Sequence, residues 1–277
     1  YIHNYWSKKY NKNLKYQKFE ISEKKLTKFF EAFRKNKRIK GFNVTIPYKT
    51  NFISLCDKTT PKAKKIGSVN LLRQGTISLL AIVLNNTLFY YGNLQGGMGG
   101  EIAISVYGLA TRMTMFALFP LIGIAQGFMP IAGYNYGAKM YDRVNSVIKI
   151  ALIYGFIIAS FIGIILMVSS DLIPYIFTKD TKLIKHAPNA IFWIFSATPV
   201  IVFHLIAPSY YQAIGKAIPA LLLTLTKQGL FLIPFVLILP IYFGIEGVWY
   251  SFPISDIISA GICFYFLRKS TSKLTLN

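Results

Sequence analysis

IALIYGFIIASFIGIILMVSS, residues 150–170, runs for 21 positions without a charged side chain. A bilayer core about 30 Å thick is crossed by roughly 20 residues of helix, so this stretch reads as a membrane span. A soluble domain of this size buries apolar segments too, but it seldom builds them this long without a charge on the solvent side. Outward from it, apolar runs of similar length recur from about Ile77 to Leu267, separated by short polar or glycine-rich breaks. They predict six spans, at about 77–94, 102–128, 144–170, 187–211, 218–242 and 247–267. The expected fold is mainly α, a six-transmembrane-helix bundle preceded by a partial small α/β domain.

The breaks differ in charge. Lys139, Arg143 and Lys149 outweigh Asp142 between the second and third spans, Lys216 marks the next-but-one break, and Arg268 follows the last span. The alternate breaks hold Glu101 and Glu246, while the one at 171–186 mixes Asp171 and Asp180 with Lys179, Lys182 and Lys185. The excess of Lys and Arg on cytoplasmic loops then predicts a multi-pass plasma-membrane protein with its N-terminal segment and C-terminus in the cytoplasm. Of a formal net charge of +21, residues 1–76 carry 19 Lys/Arg against 4 Asp/Glu. Next to membrane spans, that charge reads as a segment facing an anionic leaflet, and the expected partner is the lipid bilayer, not nucleic acid.

Several side chains lie where lipid would penalise them. Arg112 falls in the second span, His204 in the fourth, Lys227 in the fifth and Asp256 in the sixth, with Asn85, Asn86 and Thr87 in the first. Ionisable groups at membrane depth face a bundle interior or a wet cavity, or snorkel to the interface. Arg112 and Lys227 are read as cavity or helix-pairing residues. Asp256, the only carboxylate well inside a span, either receives a proton or balances Arg112 or Lys227. His204 reads more readily as a hydrogen-bonded packing residue. Pro120, Pro130, Pro199, Pro219, Pro234 and Pro240 lie in or beside spans, where they bend helices. Cys56 and Cys263 are too far apart in sequence to suggest a metal site or a disulfide framework. The chain opens at Tyr1 without Met or a signal-peptide pattern, and reads as a fragment.

The N-terminal segment has a different pattern. Tyr16–Ile21 and Gly41–Pro47 read as strands, and Ser22 as an N-cap for a helix in which Leu26, Phe29, Phe30 and Phe33 recur at helical spacing. Tyr48–Cys56 and Pro61–Lys65 read as short helices, and Gln74-Gly75 as a hairpin turn between IGSVNLL and TISLL.

GFNVTIPYK at 41–49 and the Asp57 to Asn70 pattern ending IGSVN resemble the substrate-binding domain of shikimate dehydrogenase. HNYWSKKY at 3–10 is similar to that family's opening serine motif. The resemblance implies that Lys49 stands at the catalytic acid/base position, and that Ser7, Thr45 and Asn70 stand at substrate-binding positions. The family's next element, Asn-Thr-Asp-Gly, is replaced by LLAIVLNNTLFYYG, and no G-x-G-x-x-G follows a strand. With no partner carboxylate and no nicotinamide domain, the resemblance implies ancestry and an inactive enzyme. NADP enters only if this segment works as a degenerate or truncated dehydrogenase reducing 3-dehydroshikimate; otherwise no cofactor and no metal are expected. GNLQGGMGG, residues 92–100, reads as an interhelical loop and not a phosphate cradle.

GLATRM at 108–113, GIAQGFMPIAGYNYGAK at 123–139, QAIGKAIPALLLTLTKQGLFLIP at 212–234 and GVW at 247–249 resemble the second half of multidrug and toxic compound extrusion transporters. The likeness covers about residues 78–269. It implies one six-helix lobe of a two-lobed exporter of organic cations and drugs, coupled to Na+ or H+. The transport cavity or helix-pairing candidates are Asn85, Asn86, Arg112, Gln126, Asn135, His204, Lys227 and Asp256. The expected division is 1–79 for the shikimate dehydrogenase-like part, 80–269 for the lobe and 270–277 for a polar cytoplasmic tail. The missing first lobe, or a homodimer partner, would complete the cavity. A membrane protein that does no transport and acts by assembly is the further reading.

Overall fold

The computed structural model describes residues 26–35, 61–94 and 98–274. The chain divides into two compact units, Tyr1–Gly67 and Ser68–Asn277. In the first unit, helix α1 spans Leu26–Lys35, with Phe30 buried and Lys28 and Glu31 exposed. Apolar residues at helical spacing give it one face to bury. The strands expected at Tyr16–Ile21 and Gly41–Pro47, and the helix at Tyr48–Cys56, lie outside the described residues.

Next comes a long helix, α2, Pro61–Leu94. It runs unbroken through Gln74-Gly75, so the expected hairpin and the TISLL strand do not form. TISLL leads directly into residues that enter the bilayer, where a strand edge would leave N–H and C=O groups unpaired while a helix pairs them internally. Against that demand, a glycine inside a helix costs only about 1 kcal/mol.

The remaining elements are α3 (Gly100–Gly137), α4 (Tyr141–Val168), the short α5 (Ile173–Phe177), α6 (Thr181–Ser196), α7 (Ile201–Ala213), α8 (Ala217–Leu225), α9 (Ile233–Phe243) and α10 (Ile245–Leu274). A 3-10 turn, Thr198–Val200, joins α6 to α7, and a π-helical segment, Thr226–Leu232, joins α8 to α9. Among the described residues six helical segments are long and apolar enough to span a bilayer: Gly75–Leu94, Gly100–Gly137, Tyr141–Val168, Thr181–Ala213, Ala217–Phe243 and Ile245–Ser272. The protein is a multi-pass membrane protein whose lobe is a mainly α six-helix bundle.

Two of the spans are interrupted. Pro199 sits in the 3-10 turn of the fourth, and Pro234 in the first turn of α9, just after the π segment of the fifth. A proline has no N–H to offer the carbonyl one turn back, and local rewinding of the preceding turn accommodates the gap. Pro120 and Pro130 are carried inside α3 without ending it.

The interior holds two apolar clusters. One joins Leu80, Leu84 and Leu88 of α2 to Val106 of α3, Ile191 of α6, Val236 of α9 and Trp249 of α10. The other joins Phe128 of α3, Ile148 of α4, Ile206 and Tyr210 of α7, Leu223 of α8 and Leu267 of α10. Helix α4 approaches the fourth span through Ala151, Gly155, Ala159 and Gly163, all buried. Small residues at four-residue spacing let helix backbones come close where no hydrophobic drive separates protein from lipid.

At Gly155 a Cβ would stand 2.4 Å from Val202 Cγ2, and at Gly163 it would stand 2.9 Å from Thr198 Cβ. Gly155→Val is expected to destabilise the lobe by about 1–3 kcal/mol through overpacking. Gly261 lies on α10 with open space around it, so Gly261→Ala is expected to stabilise by roughly 0.5–1 kcal/mol. Thermal unfolding in detergent, followed by circular dichroism, checks both. Equal effects from the two variants would contradict this packing.

Candidate functional site

A group of buried polar residues on α10 lies between members of the two apolar clusters. On α10, Trp249 and Phe252 belong to one cluster and Cys263 and Leu267 to the other. Between them fall Ser255, Asp256 and Ser259, all buried, with Ser251 one turn earlier. The four-residue spacing of the serines puts them on one helix face. Each hydroxyl is satisfied locally: Ser251 Oγ donates to Gly247 O at 2.7 Å, Ser255 Oγ to Phe252 O at 2.8 Å, and Ser259 Oγ to Ser255 O.

Asp256 has no such local partner. Its Oδ1 lies 2.6 Å from Lys227 Nζ, with the Asp256 side chain 3% exposed and that of Lys227 26% exposed. Lys227 is the second residue of the π-helical segment. The extra residue per turn there changes the direction of the side chains that follow, and such segments recur at functional positions. An ammonium and a carboxylate at this depth are tolerable because each neutralises the other.

His204 of α7 faces the same stretch of α10. Its Nε2 lies 3.0 Å from Ser259 Oγ and 3.4 Å from the Asp256 carbonyl oxygen, and its Nδ1 lies 3.7 Å from Cys263 Sγ. Ser259 spends its proton on Ser255 O, so Nε2 carries the hydrogen and donates to Ser259 Oγ. Nδ1 faces the Cys263 thiol. The cluster therefore combines an ion pair, an imidazole and a buried thiol on neighbouring turns of the bundle interior.

The other expected residues are dispersed. Asn85 and Asn86 are exposed on α2, and Arg112 and Gln126 are exposed on α3. Asn135 is buried and its Nδ2 donates to Ile131 O at 2.8 Å, which commits it to the α3 backbone. Asn70 falls on α2, and Ser7, Thr45 and Lys49 lie outside the described residues. Cys263 is noted in the sequence only as too distant from Cys56 for a metal site or disulfide, and Ser255 and Ser259 are not singled out there, although the serine spacing on a span carrying the lone carboxylate is a usable signal. Asn93 was also missed: its Oδ1 accepts from Gly100 N at 2.8 Å at the start of α3. Among the described residues no group of three or more His, Cys, Asp or Glu is placed to hold a metal ion.

The unequal exposure of the pair makes its two halves unequal on removal. Lys227→Met strands a buried carboxylate and is expected to cost about 3 kcal/mol. Asp256→Leu leaves a lysine long enough to reach a wetter surface, so its cost is smaller. The double variant is expected to recover most of the loss, as buried ion pairs replaced by apolar residues often do. Thermal unfolding of the three variants in detergent measures this, and additive losses in the double variant would show that the two groups are not paired.

Two parts of the chain match known families. Residues 1–72 match the family model of the shikimate dehydrogenase substrate binding domain, and residues 78–238 match the MatE family model. The chain is 22% identical over 213 residues to a multidrug export protein, MepA, of Staphylococcus haemolyticus, covering 77% of this chain and 45% of that protein. Its counterpart in Staphylococcus aureus is 25% identical over 208 residues, covering 74% and 44%. Among solved structures, an outward-facing multidrug resistance MATE family transporter of the MOP superfamily superposes with a TM-score of 0.70 at 21% identity, covering 87% of this chain and 52% of that one. A MOP superfamily transporter of Pyrococcus furiosus, described as having a binding pocket of reverse polarity, gives 0.70 at 21% identity, covering 89% and 53%. At these identities the structural likeness bears on the fold alone. The chain spans about half the length of the curated relatives it matches. Because the MatE match takes in more than half of the sequence, the chain belongs to the MatE family of multidrug and toxic compound extrusion transporters.

Proposed function

We propose that residues 80–269 form one lobe of an exporter of organic cations or drugs, working by antiport against Na+ or H+. The observation that carries this reading is the Lys227–Asp256 pair, set beside His204 between two apolar layers of a six-span bundle. A cation that reaches Asp256 competes with the Lys227 ammonium for the same carboxylate. Released, Lys227 turns toward the surface to which it is already partly open, and the π-helical segment that carries it is the part of the fifth span able to rewind. Exchange of one positive partner for another at a fixed carboxylate is the elementary step that antiport requires. The second wall of the cavity comes from a first lobe or from another copy of the chain. Residues 1–79 form a shikimate dehydrogenase-like part and 270–277 a polar tail, and the basic breaks at Lys139–Lys149, Lys216 and Arg268 put both ends on the cytoplasmic side of the plasma membrane.

A second reading rests on the match of residues 1–72 to the shikimate dehydrogenase substrate binding domain. It calls for NADP-dependent turnover of shikimate that disappears in Lys49→Ala. The spans that follow stand where that family's nicotinamide-binding domain would be, so no turnover is expected from the folded chain, and measurable turnover would favour this reading over transport.

Transport is tested in proteoliposomes by drug-dependent Na+ or H+ flux. Asp256→Asn removes the competed charge and is expected to lower the flux about tenfold or more, equivalent to roughly 1.4 kcal/mol in the limiting step. Arg112→Ala is expected to lower it as well, since Arg112 is an exposed charge on α3 inside the second span. Flux that is unchanged in both variants would reject these assignments.

A further inference from the structure

A groove of about 390 Å³ opens between α4 and α10, away from the Lys227–Asp256 pair. It belongs to the end of the bundle where α4 begins and α10 finishes, the end that also carries Lys139, Arg143, Lys216 and Lys269. Its floor is closed by Ile148 and Leu267, both buried. The walls are graded along the helix axes. Asn145, Lys149 and Leu152 follow one another along one face of α4 at four- and three-residue spacing, and Phe264, Arg268 and Thr271 do the same on α10. The two helices run in opposite directions, so the polar members meet at the mouth and Leu152 and Phe264 meet deeper in.

The mouth therefore offers two cations, Lys149 and Arg268, and no acidic residue lines the groove. Neither cation has an ion-pair partner among the described residues. Asn145 Oδ1 is buried there without a hydrogen-bond partner, an acceptor whose desolvation goes uncompensated within the lobe. A ligand that fits has an anionic group for the cations, a hydroxyl donor for Asn145 and an apolar chain for Leu152 and Phe264. A phosphodiester lipid with a polyol headgroup has all three.

We propose that this groove binds one anionic phospholipid of the phosphatidylglycerol class. Its phosphate lies between Lys149 and Arg268, a headgroup hydroxyl donates to Asn145 Oδ1, and one acyl chain runs against Leu152 and Phe264. Basic recesses between membrane helices hold acidic headgroups in this manner, with each Lys or Arg near the surface adding about fivefold. The site is independent of the transport reading, because none of its residues touches the ion pair.

Native mass spectrometry of the full chain, released from micelles containing equal phosphatidylglycerol and phosphatidylcholine with the same acyl chains, tests it. One phosphatidylglycerol adduct is expected to persist in preference to phosphatidylcholine. Lys149→Gln with Arg268→Gln is expected to reduce that preference roughly ten- to thirty-fold. Leu152→Trp, which keeps both charges and fills the apolar depth, is expected to remove the adduct too, and it serves if the charge variant does not fold. Glycerol 3-phosphate, the same anion without chains, is expected not to displace the lipid. A preference unchanged in either folded variant would overturn the proposal. Displacement by glycerol 3-phosphate would also overturn it, showing a free phosphate site instead.

Discussion

Lys227 and Asp256 meet at 2.6 Å between the fifth and sixth spans. Asp256 lies roughly 16 Å along α10 from Ile245 at 1.5 Å per residue, about half a bilayer core. A charge at that depth is costly alone, so each half of the pair constrains the other, and through them α10 is held in register with the fifth span. Once that register is set, the serine face of α10 is turned toward His204 of α7, and the side chains on either side of Asp256 are assigned to separate apolar clusters. Breaking the pair frees more than one contact. It removes the polar tie between the π-helical segment and α10, leaving the apolar packing of Val236 and Trp249 to hold α9 against α10.

Irregular backbone gathers near the same layer. The 3-10 turn at Thr198–Val200 and the π-helical segment at Thr226–Leu232 interrupt the fourth and fifth spans. Unpaired backbone groups cannot face lipid, and departures from the α-helix survive at membrane depth only when buried in protein or lining a cavity. Thr198 and Thr226, both buried at these breaks, use their hydroxyls on the carbonyls of Phe195 and Leu222, each at 2.7 Å. The close approach of α4 at Gly155 and Gly163 covers the 3-10 turn from outside. The fourth span is thus closely packed by α4, and the fifth is wound more widely at its π-helical segment.

The six spans were legible in the sequence because hydropathy over 20 residues measures the same free energy that inserts a helix. Their ends were less so. The second span is expected to end near residue 128, but its helix continues to Gly137 through GFMPIAGYNYG, whose glycines, proline and asparagine carry local turn signals. The hairpin at Gln74-Gly75 was misread for a related reason: a local turn signal was outweighed by the demand of the following bilayer segment. Asp256 stood out as the one carboxylate inside a span, but Arg112 and Lys227 were equivalent candidates for its partner by sequence. Only the winding of the π-helical segment, which no local propensity encodes, brings Lys227 to it. His204 was expected as a packing residue, and its neighbours Ser259 and Cys263 come from a helix more than 50 residues away, beyond the reach of any pattern within one span.

The exterior of the lobe is not uniform, and the difference bears on how it is covered. On α4 the outward residues are Ile153, Phe161, Ile164 and Val168, each more than half exposed and each indifferent to acyl chains. On α2 and α3 the outward residues include Asn85, Asn86, Arg112 and Gln126. These amide and guanidinium groups lie within spans, and among the described residues none reaches an ion-pair partner. Lipid satisfies the first surface and leaves the second with polar groups unpaired at a cost of several kcal/mol. Water or another protein surface is what the second face demands, and a water-filled cleft needs an opposite wall. The chain spans about half the length of the curated relatives it matches, and the polar groups that call for a second wall lie on α2 and α3, the first two helices of its bundle.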